Sequence, residues 1–300
     1  MEEEKSLVDR KVLRIKLAIR AIIYCTIGIL IVMFSSLAGV KFAEFQNKEK
    51  IAKYNSIKNE VEEDIIAHKD AEEEKRALPV YSEEAKERLE NIYVADSEEK
   101  IAYLTFDDGP SQNITPQILD ILEKEGIKAT FFVLGSRAEL YPELVRRAYE
   151  AGHYIANHGY SHEYKSVYAS AEAVLDEFNQ TEKAIQEALD NSEYHTHLFR
   201  FPGGSEGGKY KKIKNEAKSL LEENDIAYIN WNALTRDAEG KPTRESLLED
   251  LEATVGEKTR VVVLMHDTGS KQLTADTLPE VIQYLRDEGF IFKNFYDIMY

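Results

Sequence analysis

The stretch Thr105-Phe106-Asp107-Asp108-Gly109-Pro110 sets two adjacent carboxylates where an apolar run, Ile101–Phe106, gives way to a turn and then to a helical pattern from about Thr115. The ends of strands are the edge of an α/β fold at which ligands bind. Neighbouring side chains at a strand end point to opposite faces, so one carboxylate can hold a cation while the other faces a water. Taken alone, Asp-Asp-Gly-Pro also suits an ordinary turn. His158 and His162 follow the strand-like Tyr154–Ala156, and their i, i+4 spacing predicts two imidazoles on one side of a helical turn, a common way to present ligands to a metal. Arg200, Asp237 and His266 also fall at or just after strand-like runs.

In chain order, Asp107-Asp108, His158-Gly-Tyr-Ser-His162, Arg200-Phe-Pro-Gly-Gly204, Asp237 and Leu264-Met-His266 resemble the motif set of the polysaccharide deacetylases, carbohydrate esterase family 4, also called the NodB-type domain. The resemblance implies Asp107 as general base and Asp108, His158 and His162 as ligands of a divalent metal, zinc with cobalt as the alternative. Three nitrogen and oxygen ligands with open positions are what a hydrolytic zinc centre needs. It further implies that Arg200 holds the base in position and that the Gly203 N–H helps to stabilise an oxyanion. His266 would protonate a leaving amine, oriented and charged by Asp237.

The implied activity is removal of N-acetyl groups from a cell-envelope polysaccharide, with peptidoglycan as the expected substrate. An O-deacetylase on the same machinery and a non-catalytic carbohydrate-binding module are the alternatives. The sequence departs from the family pattern at four places. Gly159 replaces a hydroxyl residue expected to brace the histidine loop. Leu234 and Ala238 stand where aspartate and tryptophan are usual, and Gly203 replaces a frequent aromatic, which predicts a wider groove.

The elements that must position these residues alternate. Strand-like runs near 101–106, 128–133, 153–156, 197–200, 226–231, 261–265 and 290–293 are separated by helical patterns such as Pro116–Lys124, Pro142–Glu150, Ser170–Leu189 and Ala275–Asp287. Seven strands alternating with helices predict an α/β fold with a parallel sheet. Resemblance to the deacetylases selects a distorted (β/α) barrel of seven to eight strands. Gly203–Tyr210 mimics a phosphate-binding loop but ends in tyrosine where a hydroxyl ligand for magnesium is required, and it reads instead as a loose loop beside the site.

The chain of 300 residues carries a net charge of −17. Residues 60–99 hold 15 acidic and 5 basic side chains, so much of the excess lies ahead of the domain. Nothing offers a basic stripe to phosphates, which argues against a nucleic-acid partner. Ala21–Val40 is uncharged over 20 residues and follows Arg10, Lys11, Arg14, Lys16 and Arg20, the pattern of a single-pass anchor with a cytoplasmic amino terminus. A cleaved signal ending near Ser36-Leu37-Ala38 is the competing reading. The expected order is a cytoplasmic tail over 1–20, a transmembrane anchor over 21–40, an acidic helical stalk and linker over 41–99, and an extracellular catalytic domain over 100–300. Cys25, the one cysteine, falls in the expected span, so the domain can form neither a disulfide nor a zinc–thiolate site.

Overall fold

The computed structural model describes Pro79, residues 81–94 and residues 99–299. The expected tail, anchor and most of the stalk lie outside the described residues. No helix among the described residues is long and apolar enough to cross a membrane.

Eight strands form one parallel sheet: β1 (Lys100–Asp107), β2 (Thr130–Val133), β3 (Tyr154–Asn157), β4 (Leu198–Phe199), β5 (Ala227–Tyr228), β6 (Ala233–Leu234), β7 (Arg260–His266) and β8 (Phe290–Lys293). The order is β5-β4-β3-β2-β1-β7-β6. β7 pairs with β1 from Ile101↔Arg260 to Asp107↔His266, while β2 pairs with the last part of β1, at Thr105–Asp107, and β8 with its first part, at Lys100–Tyr103. Of the run 226–231, expected as one strand, only Ala227–Tyr228 form a strand, β5, and the next strand, β6, begins beyond the run at the opposite edge of the sheet. Strands of two residues carry no period from which their boundary could be read.

That placement forces the sheet to curl. β5 and β6 are edge strands, yet only Ile229–Asn232 separate them. An extended chain spans at most ~3.5 Å per residue, so the two edges must come within roughly 18 Å of each other. No ladder joins them among the described residues, and the sheet is a curled, incompletely closed barrel. The connector bridges the gap: Ile229 N–H donates to Phe199 O on one side, and Asn232 exchanges bonds with Val262 and Arg260 on the other.

Alternation along the strands separates two cores. Ala102, Leu104 and Phe106 of β1, with Val261, Val263 and Met265 of β7, face the helices α2 (Thr115–Glu125), α8 (Arg244–Val255) and α9 (Gln272–Asp287). Ile101 and Tyr103, with Phe132, Tyr154, Ala156, Leu198 and Val262, fill the barrel interior. With a period of two, Asp107 falls on the interior face above Tyr103 and Thr105, His158 above Tyr154 and Ala156, Arg200 above Leu198, and His266 above Val262. Four of the expected site residues are therefore placed by strand register alone.

Helix α1 (Glu83–Glu90), capped by Ser82, lies in the stretch expected to be linker. Its Ala85 and Leu89, with Ile92 beyond it, are buried in the interior cluster, so this segment is part of the domain. The remaining helices are α3 (Gly135–Leu140), α4 (Pro142–Glu150), α5 (Tyr164–Val167), α6 (Ala171–Leu189) and α7 (Lys211–Glu222).

Candidate active site

Arg200 is fully buried at the mouth of the barrel. Its guanidinium donates to Asp107 Oδ1 at 2.8 Å and to Thr105 Oγ1 at 2.7 Å, and its remaining nitrogens donate to the Ile229 and Asn230 carbonyls. The planar cation lies 3.9 Å from the Phe132 ring centre. Four of its five N–H donors are thereby engaged, and Asp107, 2% exposed, is held with Oδ2 turned towards His158 Nε2 at 3.7 Å. The Arg200 main-chain carbonyl accepts from His158 Nδ1 at 2.7 Å. A carbonyl can only accept, so Nδ1 carries hydrogen and Nε2 is the atom turned to the site.

Asp108 follows the strand and should face outward by alternation. A backbone φ of 72° turns it back. Its Oδ1 lies 3.3 Å from His158 Nε2 and 3.4 Å from His162 Nε2, is buried, and has no hydrogen-bond partner. Ligand atoms about 2.1 Å from a tetrahedral zinc stand about 3.4 Å apart, so the spacing of the three atoms and the orphaned carboxylate oxygen fit a shared divalent cation. Burial would push the Asp108 carboxyl up. Contact with His158 and the charges of His158, His162 and His266 outweigh it and hold the group well below the usual carboxylate range. Burial likewise disfavours a charged His158, but Asp107 and then Asp108 raise it. Burial and the charge of His158 lower His162.

The two histidines do not share a helical turn. Residues 158–163 form a loop, with His162 at φ 58° and Gly159 at φ 83°, the latter a conformation that suits glycine and explains its presence after the first histidine. The bracing expected of a hydroxyl at 159 comes instead from a carboxylate on α6. Glu177 of α6, 6% exposed, accepts from Tyr160 N–H at 2.6 Å, Ser161 N–H at 2.7 Å and Ser161 Oγ at 2.6 Å. Sequence reasoning missed Glu177. Its signal is an acid within the buried stripe of an amphipathic helix, between Val174, Phe178 and Thr181.

His266 Nδ1 and Asp237 Oδ1 are 2.8 Å apart, and Asp237 Oδ2 accepts from His266 N–H and Thr274 Oγ1. Burial opposes the charged ring, but the Asp237 hydrogen bond and charge, with Asp107 and Asp108 beyond, hold the imidazole up at about 9. Asp267 ties the turn after Asp108 to β7: its carboxylate accepts from Thr115 Oγ1 at 2.6 Å and its carbonyl from Ser111 Oγ at 2.6 Å. A Cβ on Gly109 would lie 2.1 Å from the Asp267 carboxylate, so only glycine permits that approach. Of the other histidines, buried His153 accepts from Ala129 N–H, and burial followed by Lys128 pushes it down to about 3, a neutral structural ring.

Gly203 is exposed at φ 71°, and its N–H donates to no group among the described residues. The expected wider groove is not what forms. A Cβ at Gly203 would lie 2.5 Å from the Tyr164 hydroxyl, so Tyr164, whose ring is 5.4 Å from that of His162, fills the space the glycine leaves. The chain's one tryptophan, Trp231, lies under Gly204 in the connector between β5 and β6. The stretch read as a loose loop is tied at its near end, where Asn230 accepts from Ser205 N–H and Lys214 donates to Gly204 O. A cavity of about 370 Å³ opens over Asp108 and His162, within the usual range for ligand sites.

The polysaccharide deacetylase family model matches residues 95–221, which hold every expected site residue except Asp237 and His266. A peptidoglycan-N-acetylglucosamine deacetylase of Bacillus cereus is 32% identical over 198 residues, covering 65% of this chain and 85% of its own length. PgdA of Listeria monocytogenes, also a peptidoglycan-N-acetylglucosamine deacetylase, is 31% identical over 205 residues; the match spans 68% of this chain and 40% of PgdA. Among solved structures, a Streptococcus mutans CE4 esterase has a TM-score of 0.61 at 30% identity, covering 72% of this chain and 92% of that one.

Glu177→Ala removes the acceptor of two N–H groups and one hydroxyl. Zinc affinity, measured by titration calorimetry on metal-free protein, should fall by about 10–100-fold with the fold retained by circular dichroism. An unchanged affinity would show that Glu177 does not hold the histidine loop.

Proposed function

The chain belongs to the polysaccharide deacetylase family, and on that premise we propose that it is a metal-dependent hydrolase that removes N-acetyl groups from amino sugars of a cell-envelope polysaccharide, with peptidoglycan as substrate. The observation that carries the reading is the register Asp107↔His266, which sets a carboxylate and an imidazole on adjacent strands beside the Asp108, His158 and His162 cluster. Relatives named for peptidoglycan deacetylation support the choice of polymer.

A divalent cation held by Asp108, His158 and His162 would polarise the acetyl carbonyl and make a water acidic enough to attack at neutral pH. Asp107 takes that water's proton on Oδ2, the oxygen Arg200 does not bind. Gly203 N–H donates to the carbonyl oxygen as negative charge develops there. His266, whose Nδ1 is committed to Asp237, offers its Nε2 proton to the departing nitrogen. The C–N bond breaks, acetate and a free amine leave, and the proton on Asp107 restores His266 for the next cycle.

Asp107→Asn keeps the hydrogen bond to Arg200 within reach but removes the basic oxygen. It should retain zinc and release almost no acetate from peptidoglycan. Asp108→Asn should instead lose zinc, because a neutral amide is a poorer ligand. Zinc content measured beside acetate release separates the two; equal zinc loss in both would undo the division between base and ligand.

The acid must be protonated to act, so turnover should fall as pH rises through the His266 value of about 9. Asp237→Asn removes the anionic partner and should move that alkaline limb of the kcat profile to lower pH. A limb that stays in place would leave Asp237 with a structural role only.

The uncharged Ala21–Val40 and its basic flank support a single-pass anchor with the catalytic domain outside the cell. External protease on intact cells should remove the domain and leave a membrane-bound fragment. Recovery of a shortened protein in the medium would show a cleaved leader instead.

A further inference from the structure

Arg137 lines the cavity over Asp108 and His162, together with Ser136, Ser161 and Thr268. Its helix α3 is fixed to the histidine loop: Gly135 N–H donates to Gly159 O at 3.0 Å and Ser136 N–H to Tyr160 O at 3.2 Å. Gly135 is what allows this approach, since a Cβ there would lie 2.5 Å from the Tyr160 ring and 2.6 Å from Thr181 Oγ1. The base of the Arg137 side chain thus has a set place relative to His162.

The guanidinium itself is exposed and has no partner among the described residues. Arg146, Arg147, Arg200, Arg236, Arg244 and Arg286 each donate to a carboxylate or a carbonyl. In a chain of net charge −17, an arginine left unpaired at the mouth of a site floored by Asp107 and Asp108 is a local exception. An unpaired guanidinium on the cavity wall attracts an anionic substrate and offers a planar pair of donors matched to a carboxylate.

Resting on the deacetylase reading, we infer that Arg137 binds a carboxylate carried by the amino sugar itself, so that the site selects N-acetylmuramic acid, through its 3-O-lactyl carboxylate, over neutral N-acetylglucosamine. Ser136 and Thr268, which line the same cavity, supply hydroxyls to the sugar.

The test compares acetate release by the full chain and its Arg137→Gln and Arg137→Lys variants on four substrates: glycan strands stripped of peptide, the same strands with the lactyl carboxyl amidated, peptide-bearing strands, and chito-oligosaccharides. Wild type should favour stripped over amidated strands. Arg137→Gln should raise KM on stripped strands by roughly 10-fold with kcat retained, bringing the stripped-to-amidated ratio near one, and Arg137→Lys should restore part of it. The wild-type preference should also weaken with added salt while the Gln variant's ratio does not respond. A ratio unchanged by Arg137→Gln overturns the assignment, and a preference confined to peptide-bearing strands transfers it to a peptide carboxylate and overturns the lactyl one. Activity on chito-oligosaccharides without any preference among the strands refutes this inference alone. No acetate from any of the four by wild type overturns the deacetylase reading and this inference with it.

Discussion

The buried pair of Arg200 and Asp107 is the interaction on which the site depends. Removing a guanidinium and a carboxylate from water costs several kcal/mol per ion, and the mutual attraction offsets this only when the remaining donors are also met. Here three of the four others are met by Thr105 and by two carbonyls of the β5–β6 connector, and the cation lies against the face of Phe132. Arg200 joins β1, β4 and the connector at one point. Its own carbonyl also orients His158, so one residue sets the positions of both Asp107 and His158. An interior that must satisfy this cation leaves little freedom in where the strand ends lie.

Around that pair the field separates neighbouring groups by role. Asp108 is held ionised by the imidazoles about it, which suits a ligand, and His266 is held protonated by Asp237, which suits an acid. Groups whose surroundings drive them in opposite directions are the mark of a site built for proton transfer. Tyr164 and Trp231 show that aromatic surface missing from its usual positions can be supplied by other segments.

Much of this was legible in the sequence because strands have a period of two. Asp107, His158, Arg200 and His266 share the parity of the interior residues below them, and the expected α/β sheet follows from the same runs. What could not be read depends on backbone outside the regular periods. The left-handed φ of Asp108, the loop that replaces a helical turn between His158 and His162, and the shortening of 226–231 to the two-residue β5 each arise from contacts between distant segments. Glu177 illustrates this: its three donors lie 16 and 17 residues away, and an acid in a helix has no local feature that names them.

The four-residue connector Ile229–Asn232 acts as a ruler. It spans the seam of the barrel, and its first two carbonyls are acceptors for Arg200. Most turns on a protein surface absorb an inserted residue at small entropic cost. This one has no slack, since its length sets both the width of the seam and the position of those acceptors. The seam is therefore a point where change in loop length is barred, and diversity in such a barrel must accumulate on other turns of the rim, where the cavity wall can be rebuilt without disturbing the charge at its centre.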